Sequence, residues 1–357
     1  MKRAGDLYKR IISFENLLEA SRKARKGKRF IAGTARFEKD LERNLFRIQE
    51  VLEKKTYEPG PYRDFYINDP KRRLISAAPY PDRVIHHALI NVIGPLIERS
   101  FIFDTYACIK GRGTHKAIER YKTFMVGNSH VLKCDIKKYF WNIDHTILLA
   151  QLKNKIKCAE TLWLIQKVLA SHQKTDGMEY FPGDGLFSPS ERKRGIPIGN
   201  LTSQFFANLY LNGFDHFVKE GLREKFYIRY CDDFVALGTD PKRLYEVKIE
   251  MERYLETLRL KLHPNKSRVY RITDGVDFLG FRIFPDHLRV RKSRVKGYRR
   301  KLKKMVLDYG EGRLSLSEVR ASIHSWIGHV KHADSYRLRE EMLSDKVFKR
   351  SLQGAGS

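Results

Sequence analysis

Three aspartates, Asp135, Asp232 and Asp233, stand where a buried carboxylate is costly unless it binds a cation or meets hydrogen-bond donors. Asp135 ends the run Val131-Leu132-Lys133-Cys134, which reads as a buried strand over Val131 to Ile136. Asp232 and Asp233 lie between Ile228-Arg229-Tyr230 and Phe234-Val235-Ala236-Leu237, a strand–turn–strand pattern that puts them at a hairpin tip. A shared sheet would set that tip against Asp135. Phosphoryl transfer uses two hard divalent ions about 3.5–4 Å apart, held by few carboxylates because Mg²⁺ keeps substrate phosphates among its ligands. Three aspartates on adjacent strands suit that chemistry. An isolated Asp-Asp pair is more often a turn feature, so the surrounding residues decide.

Those surroundings are strongly basic. The 357 residues carry 70 Lys+Arg against 42 Asp+Glu, a net charge of +28, with 42% hydrophobic residues. This is a globular composition with room for two or three domains, and its surplus charge calls for a polyphosphate partner, nucleic acid first. The longest apolar stretch, Ala88 to Ile97, is broken by Asn91, Gly94 and Pro95, which argues against a membrane span. No secretory signal opens the chain, so a cytoplasmic location is expected. Cys108, Cys134, Cys158 and Cys231 form no CxxC pair and read as reduced core residues.

Along the chain, Leu7 to Lys55 reads as two helices, followed by an extended segment from Tyr62 to Ile67 and a helix from Asp82 to Glu98. Asp144 is a helix N-cap candidate, and Ser171 to Gly195 reads as a long loop or weak hairpin. Helices are expected over Ser203 to Lys219 and Leu244 to Leu258, with two short strands up to Phe284. Further basic helices follow over Tyr298 to Tyr309, Ser315 to His329 and Ala333 to Leu343.

With the order of its motifs laid out, the chain resembles reverse transcriptases over nearly its whole length. Tyr230-Cys231-Asp232-Asp233 resembles the YxDD box, and Asp135-Ile136-Lys137-Lys138-Tyr139-Phe140 resembles the first catalytic motif of the palm. The resemblance implies an α+β right-hand polymerase with fingers, antiparallel-sheet palm and helical thumb, plus an N-terminal helical extension. The corresponding boundaries are 1–60 for the extension, 61–130 for fingers, 131–284 for palm with an insertion near 160–195, 285–350 for thumb and 351–357 for a tail. It implies Asp135 and Asp232, with the Ile136 carbonyl, as ligands of two Mg²⁺ ions, Mn²⁺ being the alternative metal. Asp233 belongs to the acidic cluster without necessarily bridging both ions. Phe140 falls at the steric-gate position against the sugar 2′ carbon, although alone it reads as a core phenylalanine.

The segment Lys71-Arg72-Arg73 resembles the basic fingers segment that clamps a triphosphate, and Arg73 is its best match, with Lys71 weaker. An arginine fork suits phosphate oxygens. Lys266, in Leu262-His263-Pro264-Asn265-Lys266, matches a lysine near the leaving pyrophosphate; general acid and plain turn lysine are evenly balanced readings. Phe278-Leu279-Gly280-Phe281 resembles the primer-grip hairpin, its aromatics equally suited to a core. His115, after Gly111-Arg112-Gly113, reads as lying near template or primer. The helices after Arg289 resemble a thumb that holds a hybrid by its phosphates.

Gly195-Ile196-Pro197-Ile198-Gly199-Asn200-Leu201-Thr202-Ser203-Gln204 narrows the resemblance. Most relatives place Gln-Gly and then Ser-Pro here; Ile198 stands for the glutamine and Gln204 for the proline. That pattern resembles reverse transcriptases of diversity-generating retroelements. The resemblance implies error-prone copying of a template-repeat RNA from a primer and dNTPs into mutagenised cDNA, with errors at template adenines. It also implies a small basic pentameric accessory protein as partner. Ile198 removes a hydrogen bond to the incoming sugar, which predicts looser discrimination but not adenine selectivity. Two other readings stand beside it: an intron-, retron- or defence-type bacterial enzyme, and a non-catalytic RNA-binding scaffold.

Overall fold

The computed structural model describes residues 3–68, 72–172, 179–185 and 187–350. In chain order its helices and strands begin with α1 (Tyr8–Ile12), α2 (Phe14–Ala24), α3 (Ala32–Lys39), α4 (Leu41–Glu53), β1 (Arg63–Ile67), β2 (Arg73–Ala77), α5 (Tyr80–Glu98) and α6 (Thr114–Met125). Next come β3 (His130–Asp135), α7 (Tyr139–Asn142), α8 (His145–Lys153), α9 (Ala159–Ala170), α10 (Ser188–Glu191), α11 (Leu201–Tyr210) and α12 (Asn212–His216). The series ends with β4 (Tyr227–Tyr230), β5 (Asp233–Gly238), α13 (Pro241–Thr257), β6 (Arg268–Arg271), β7 (Val276–Phe278), β8 (Phe281–Ile283), β9 (Leu288–Val290), α14 (Lys292–Gly310), α15 (Leu316–Val330) and α16 (Tyr336–Leu343).

Two compact units result. The first comprises Met1–Gly113, Leu132–Ala236 and Lys242–Arg268. Its N-terminal region holds four helices where the charge pattern predicts two, because Ser13 ends α1 and caps α2 through the Asn16 amide, while Asp40 separates α3 from α4. Continuous charge hides such breaks from periodicity. Leu17 and Ala20 of α2 pack on α5, whose Val84, Ile85, Ala88, Leu89 and Ile93 are buried, each large aliphatic contributing about 1.5–3 kcal/mol. β1 and β2 form an antiparallel ribbon from Arg63 opposite Ala77 to Ile67 opposite Arg73. The central sheet has the order β4-β5-β3-β6.

Asp144 caps α8 as expected, accepting from the Thr146 and Ile147 amides at 2.8 and 3.2 Å. Its other oxygen meets Arg259 at 2.5 Å and Arg192 at 3.5 Å. Arg192 also pairs with Asp184, so the stretch expected as a loop or weak hairpin contains α10 and a buried ion network among its described residues. The helix expected over Ser203 to Lys219 is divided into α11, α12 and a π-type turn over Phe217–Gly221. All four cysteines are free thiols, but Cys108 is exposed, which corrects its placement in the core.

The second unit comprises Thr114–Val131, Leu237–Pro241 and Val269–Ser357. Its β7-β8-β9 sheet turns through Leu279 and Gly280, both at positive φ, the pattern of a type I′ hairpin. Tyr298 of α14 stacks on Trp326 of α15 at 4.3 Å, and α15 opens with a capping box between Ser315 and Glu318. Among the described residues no helix is long and apolar enough to cross a membrane.

Candidate active site

β4 and β5 pair from Tyr227 opposite Ala236 to Tyr230 opposite Asp233, leaving Cys231 and Asp232 as a two-residue turn. Cys231 has φ +59°, and positive φ at the first central residue alone is the type II′ pattern. A non-glycine residue there stores strain, as functional sites often do. The turn is braced from below. Arg229 is wholly buried, pairs with Asp215 of α12 at 2.6 Å, and donates to the Cys231 carbonyl at 3.2 Å and to Asn208 Oδ1 at 3.1 Å. Thr105 and Tyr227 hydroxyls donate to the same Asp215 carboxylate at 2.9 Å.

Asp135 ends β3 beside this turn, where the Ile136 amide donates to the Asp232 carbonyl at 3.2 Å. The segment 261–267 closes the other side. The His263 amide donates to the Asp135 carbonyl at 2.7 Å, the Lys137 amide to the Lys261 carbonyl at 2.9 Å, and Lys266 Nζ to Asp135 Oδ1 at 2.7 Å. Burial pushes the Asp232 carboxyl up to about 6, with further upward pressure from Asp233 and Asp135 and a downward pull from Arg73. Asp135, Asp232, Asp233, Arg73 and Lys266 therefore share one electrostatic neighbourhood.

Among the described residues, no group of three or more His, Cys, Asp or Glu side chains is spaced to hold a metal ion. The donor chemistry nevertheless suits a divalent cation. Hard carboxylate oxygens here oppose each other's charge, and a cation would relieve the repulsion that adds to burial in raising Asp232.

A hydrogen-bonded path runs outward from this centre. The Ile196 amide donates to the Phe140 carbonyl and the Gly195 amide to the Ile143 carbonyl, both at 2.9 Å. The same loop reaches β2, where the Ser76 amide donates to the Ile198 carbonyl at 3.2 Å. Gly199 has φ +112°, and a Cβ there would meet Ile75 Cγ2 at 2.8 Å, so the close approach requires glycine. Phe140 and Ile198 are half-buried, while Arg73 and Gln204 are exposed. Lys71 lies outside the described residues.

The residues expected near primer and template fall in the second unit. Phe278 is buried at 1% exposure and stacks with Tyr121 at 5.7 Å, so its ring belongs to the core rather than to a nucleic-acid surface. Gly280, at φ +93°, turns the hairpin. His115, in the first turn of α6, stacks on His332 at 3.5 Å. In the first unit Arg112 donates to the Ile102, Phe103 and Thr105 carbonyls at 3.0, 2.8 and 2.6 Å, which makes it a backbone staple. Arg229, Asp215, Asn208 and Asn200 escaped the motif reading. The available signal was Arg229 itself, a charge inside the otherwise hairpin-like Tyr227-Ile228-Arg229-Tyr230, which demands a buried counter-charge.

The family model for reverse transcriptase (RNA-dependent DNA polymerase) matches residues 61–283. Protein YkfC of Escherichia coli (strain K12) is 26% identical over 280 residues, covering 67% of this chain and 71% of that protein. The group II intron-encoded protein LtrA of Lactococcus lactis subsp. cremoris is 30% identical over 188 residues, covering 52% of this chain and 30% of LtrA. Among solved structures, telomerase from Candida albicans in complex with the TWJ fragment of telomeric RNA matches with a TM-score of 0.43 and 13% identity, covering 82% of this chain and 56% of that one.

Proposed function

The chain belongs to the reverse transcriptase family, RNA-directed DNA polymerases of right-hand fold, and from that premise we propose that it is an error-prone copier of a template-repeat RNA within a diversity-generating retroelement. In this reading the fingers, palm and thumb occupy 61–130, 131–284 and 285–350. Template RNA, primer or growing cDNA and dNTPs are its substrates, and a small basic pentameric accessory protein is its partner.

The observation that carries the chemistry is Asp232 in the braced turn beside Asp135, with Lys266 on Asp135 and Arg73 within electrostatic reach. Asp135, Asp232 and the Ile136 carbonyl would hold two Mg²⁺ ions, with Asp233 adding negative charge. When bound, such ions activate the attacking hydroxyl and stabilise charge on the transferring phosphoryl group. The side chains of this chain do the rest. Arg73 grips triphosphate oxygens with its fork and offsets charge that grows during transfer. Lys266 delivers a proton to the leaving pyrophosphate and meanwhile restrains Asp135. Phe140 excludes a sugar 2′-hydroxyl by bulk.

The mutagenic assignment rests on Ile198. An apolar side chain at the loop facing the sugar offers no hydrogen bond with which to reject a misplaced nucleotide, and rejection by a site built to hydrogen-bond is far stronger than rejection by an apolar one. The test is primer extension on a defined RNA template with Mg²⁺ and four dNTPs, with products sequenced for wild type and Ile198→Gln. Errors concentrated opposite adenine and reduced by the substitution support the reading. Equal, accurate products from both proteins refute it and favour an ordinary bacterial enzyme, the second reading, which the similarity to intron-encoded LtrA supports.

A further inference from the structure

We propose that Asn200 is a positioning residue for nucleotide binding, its side-chain amide locking the strand that carries Arg73 to the loop that carries Ile198. The inference rests on the reading that Arg73 meets the triphosphate and Ile198 the sugar.

Asn200 stands at the N-cap of α11, where an asparagine ordinarily turns its oxygen onto the first free amides of the helix. Here it makes no such cap. Its side chain, 4% exposed, faces β2 instead: Nδ2 donates to the Ser76 carbonyl at 3.0 Å and Oδ1 accepts from the Ala78 amide at 3.4 Å. A primary amide is the side-chain group that presents a donor and an acceptor side by side, so it pairs with a strand edge as backbone would. With the Ser76 amide donating to the Ile198 carbonyl at 3.2 Å, residues 198–200 act as a third edge to the β1–β2 ribbon.

That edge decides where Arg73 sits. A two-stranded ribbon is marginally stable alone, and every residue of β1 is exposed, so β2 takes its position from whatever else pairs with it. Ser76 lies three residues beyond Arg73 on the same strand, and Ile75 lies against Gly199. The Asn200 amide thus fixes the distance between the group that grips phosphate and the group that faces the sugar, without touching either substrate moiety.

Asn200→Ser is the informative variant, because serine remains a good N-cap residue but is too short to reach both Ser76 and Ala78. In steady-state incorporation on a defined primer–RNA template, its KM for dNTP should rise about three- to tenfold, the size expected for losing one or two neutral hydrogen bonds. Its kcat should stay within about twofold, as befits lost ground-state positioning. Combined with Arg73→Ala, it should raise KM no further than Arg73→Ala alone, since both act through the same contact. Asn200→Asp, which retains the acceptor but sets a carboxylate against the Ser76 carbonyl, should raise KM at least as much. An unchanged KM in Asn200→Ser alongside a raised KM in Arg73→Ala overturns the role of Asn200 alone. An unchanged KM in Arg73→Ala overturns the triphosphate reading and this inference with it. Additive effects in the double variant, or failure of both Asn200 variants to fold, would make the residue merely structural and overturn the proposal.

Discussion

Arg229 and Asp215 form an ion pair at 2.6 Å with neither side chain exposed to solvent, and the same guanidinium holds the Cys231 carbonyl in the turn that carries Asp232. Removing one member of such a pair leaves an uncompensated buried charge and costs about 3–5 kcal/mol. Asp215→Ala should therefore lower the urea midpoint severely and remove cDNA synthesis with it. Replacing both, as Arg229→Met with Asp215→Leu, should recover much of the stability but not the activity, because the brace on Cys231 is gone. Recovery of full activity in the double variant would show that the turn holds its shape unaided.

In the proposed mechanism Lys266 acts on chemistry rather than on binding. Its ammonium reaches Asp135 at 2.7 Å from a turn that is itself bonded to the Asp135 backbone through His263. Lys266→Ala should lower kcat about a hundredfold, the lower end for loss of a general acid, with little change in KM for dNTP. Single-turnover incorporation measures this directly. An unchanged rate would leave Lys266 as a turn lysine that happens to touch a carboxylate.

Acid should weaken the first unit through α5. Burial pushes His86 down to about 3, helped by His87 and Arg83, and pushes His87 down to about 4, helped by Lys23 and Lys28. Both folded values lie below the unfolded value near 6.5, so between those limits the unfolded chain binds more protons. Stability is then fully present above about pH 6.5 and falls as pH drops, by at most about 1.4 kcal/mol per pH unit for each histidine. Urea unfolding at pH 7 and pH 5 should show this slope, and His86→Leu should flatten it. His86 Nδ1 has no hydrogen-bond partner among the described residues, so the substitution should cost little at neutral pH. A wild-type slope retained in His86→Leu would assign the acid sensitivity elsewhere.

The parts of this site that were legible in the sequence are those whose physics is local. Asp135 at the end of an apolar run, the turn between Tyr230 and Asp233, and Asp144 as a cap each announce themselves within a few residues, and each appears in the fold. What escaped depends on distant partners. Arg229 reads as an odd charge in a strand until Asp215, fourteen residues earlier and on a helix, is set beneath it. Asn200 stands in the Gly195–Gln204 segment with no role of its own until β2, more than a hundred residues away, pairs with its side chain. Phe278 allowed two readings, primer contact and core, and only its burial against Tyr121 gives its ring the second.

In the proposed function, RNA-directed DNA synthesis depends on Asp232 in the turn braced by Arg229. Its most direct test is cDNA synthesis from a defined primer and RNA template by wild type and by Asp232→Asn, a nearly isosteric change that removes the charge, with RNA binding measured on the same preparations. Wild type should give extended product and Asp232→Asn none, with equal RNA affinity for the two. Equal cDNA yield from both proteins would contradict it.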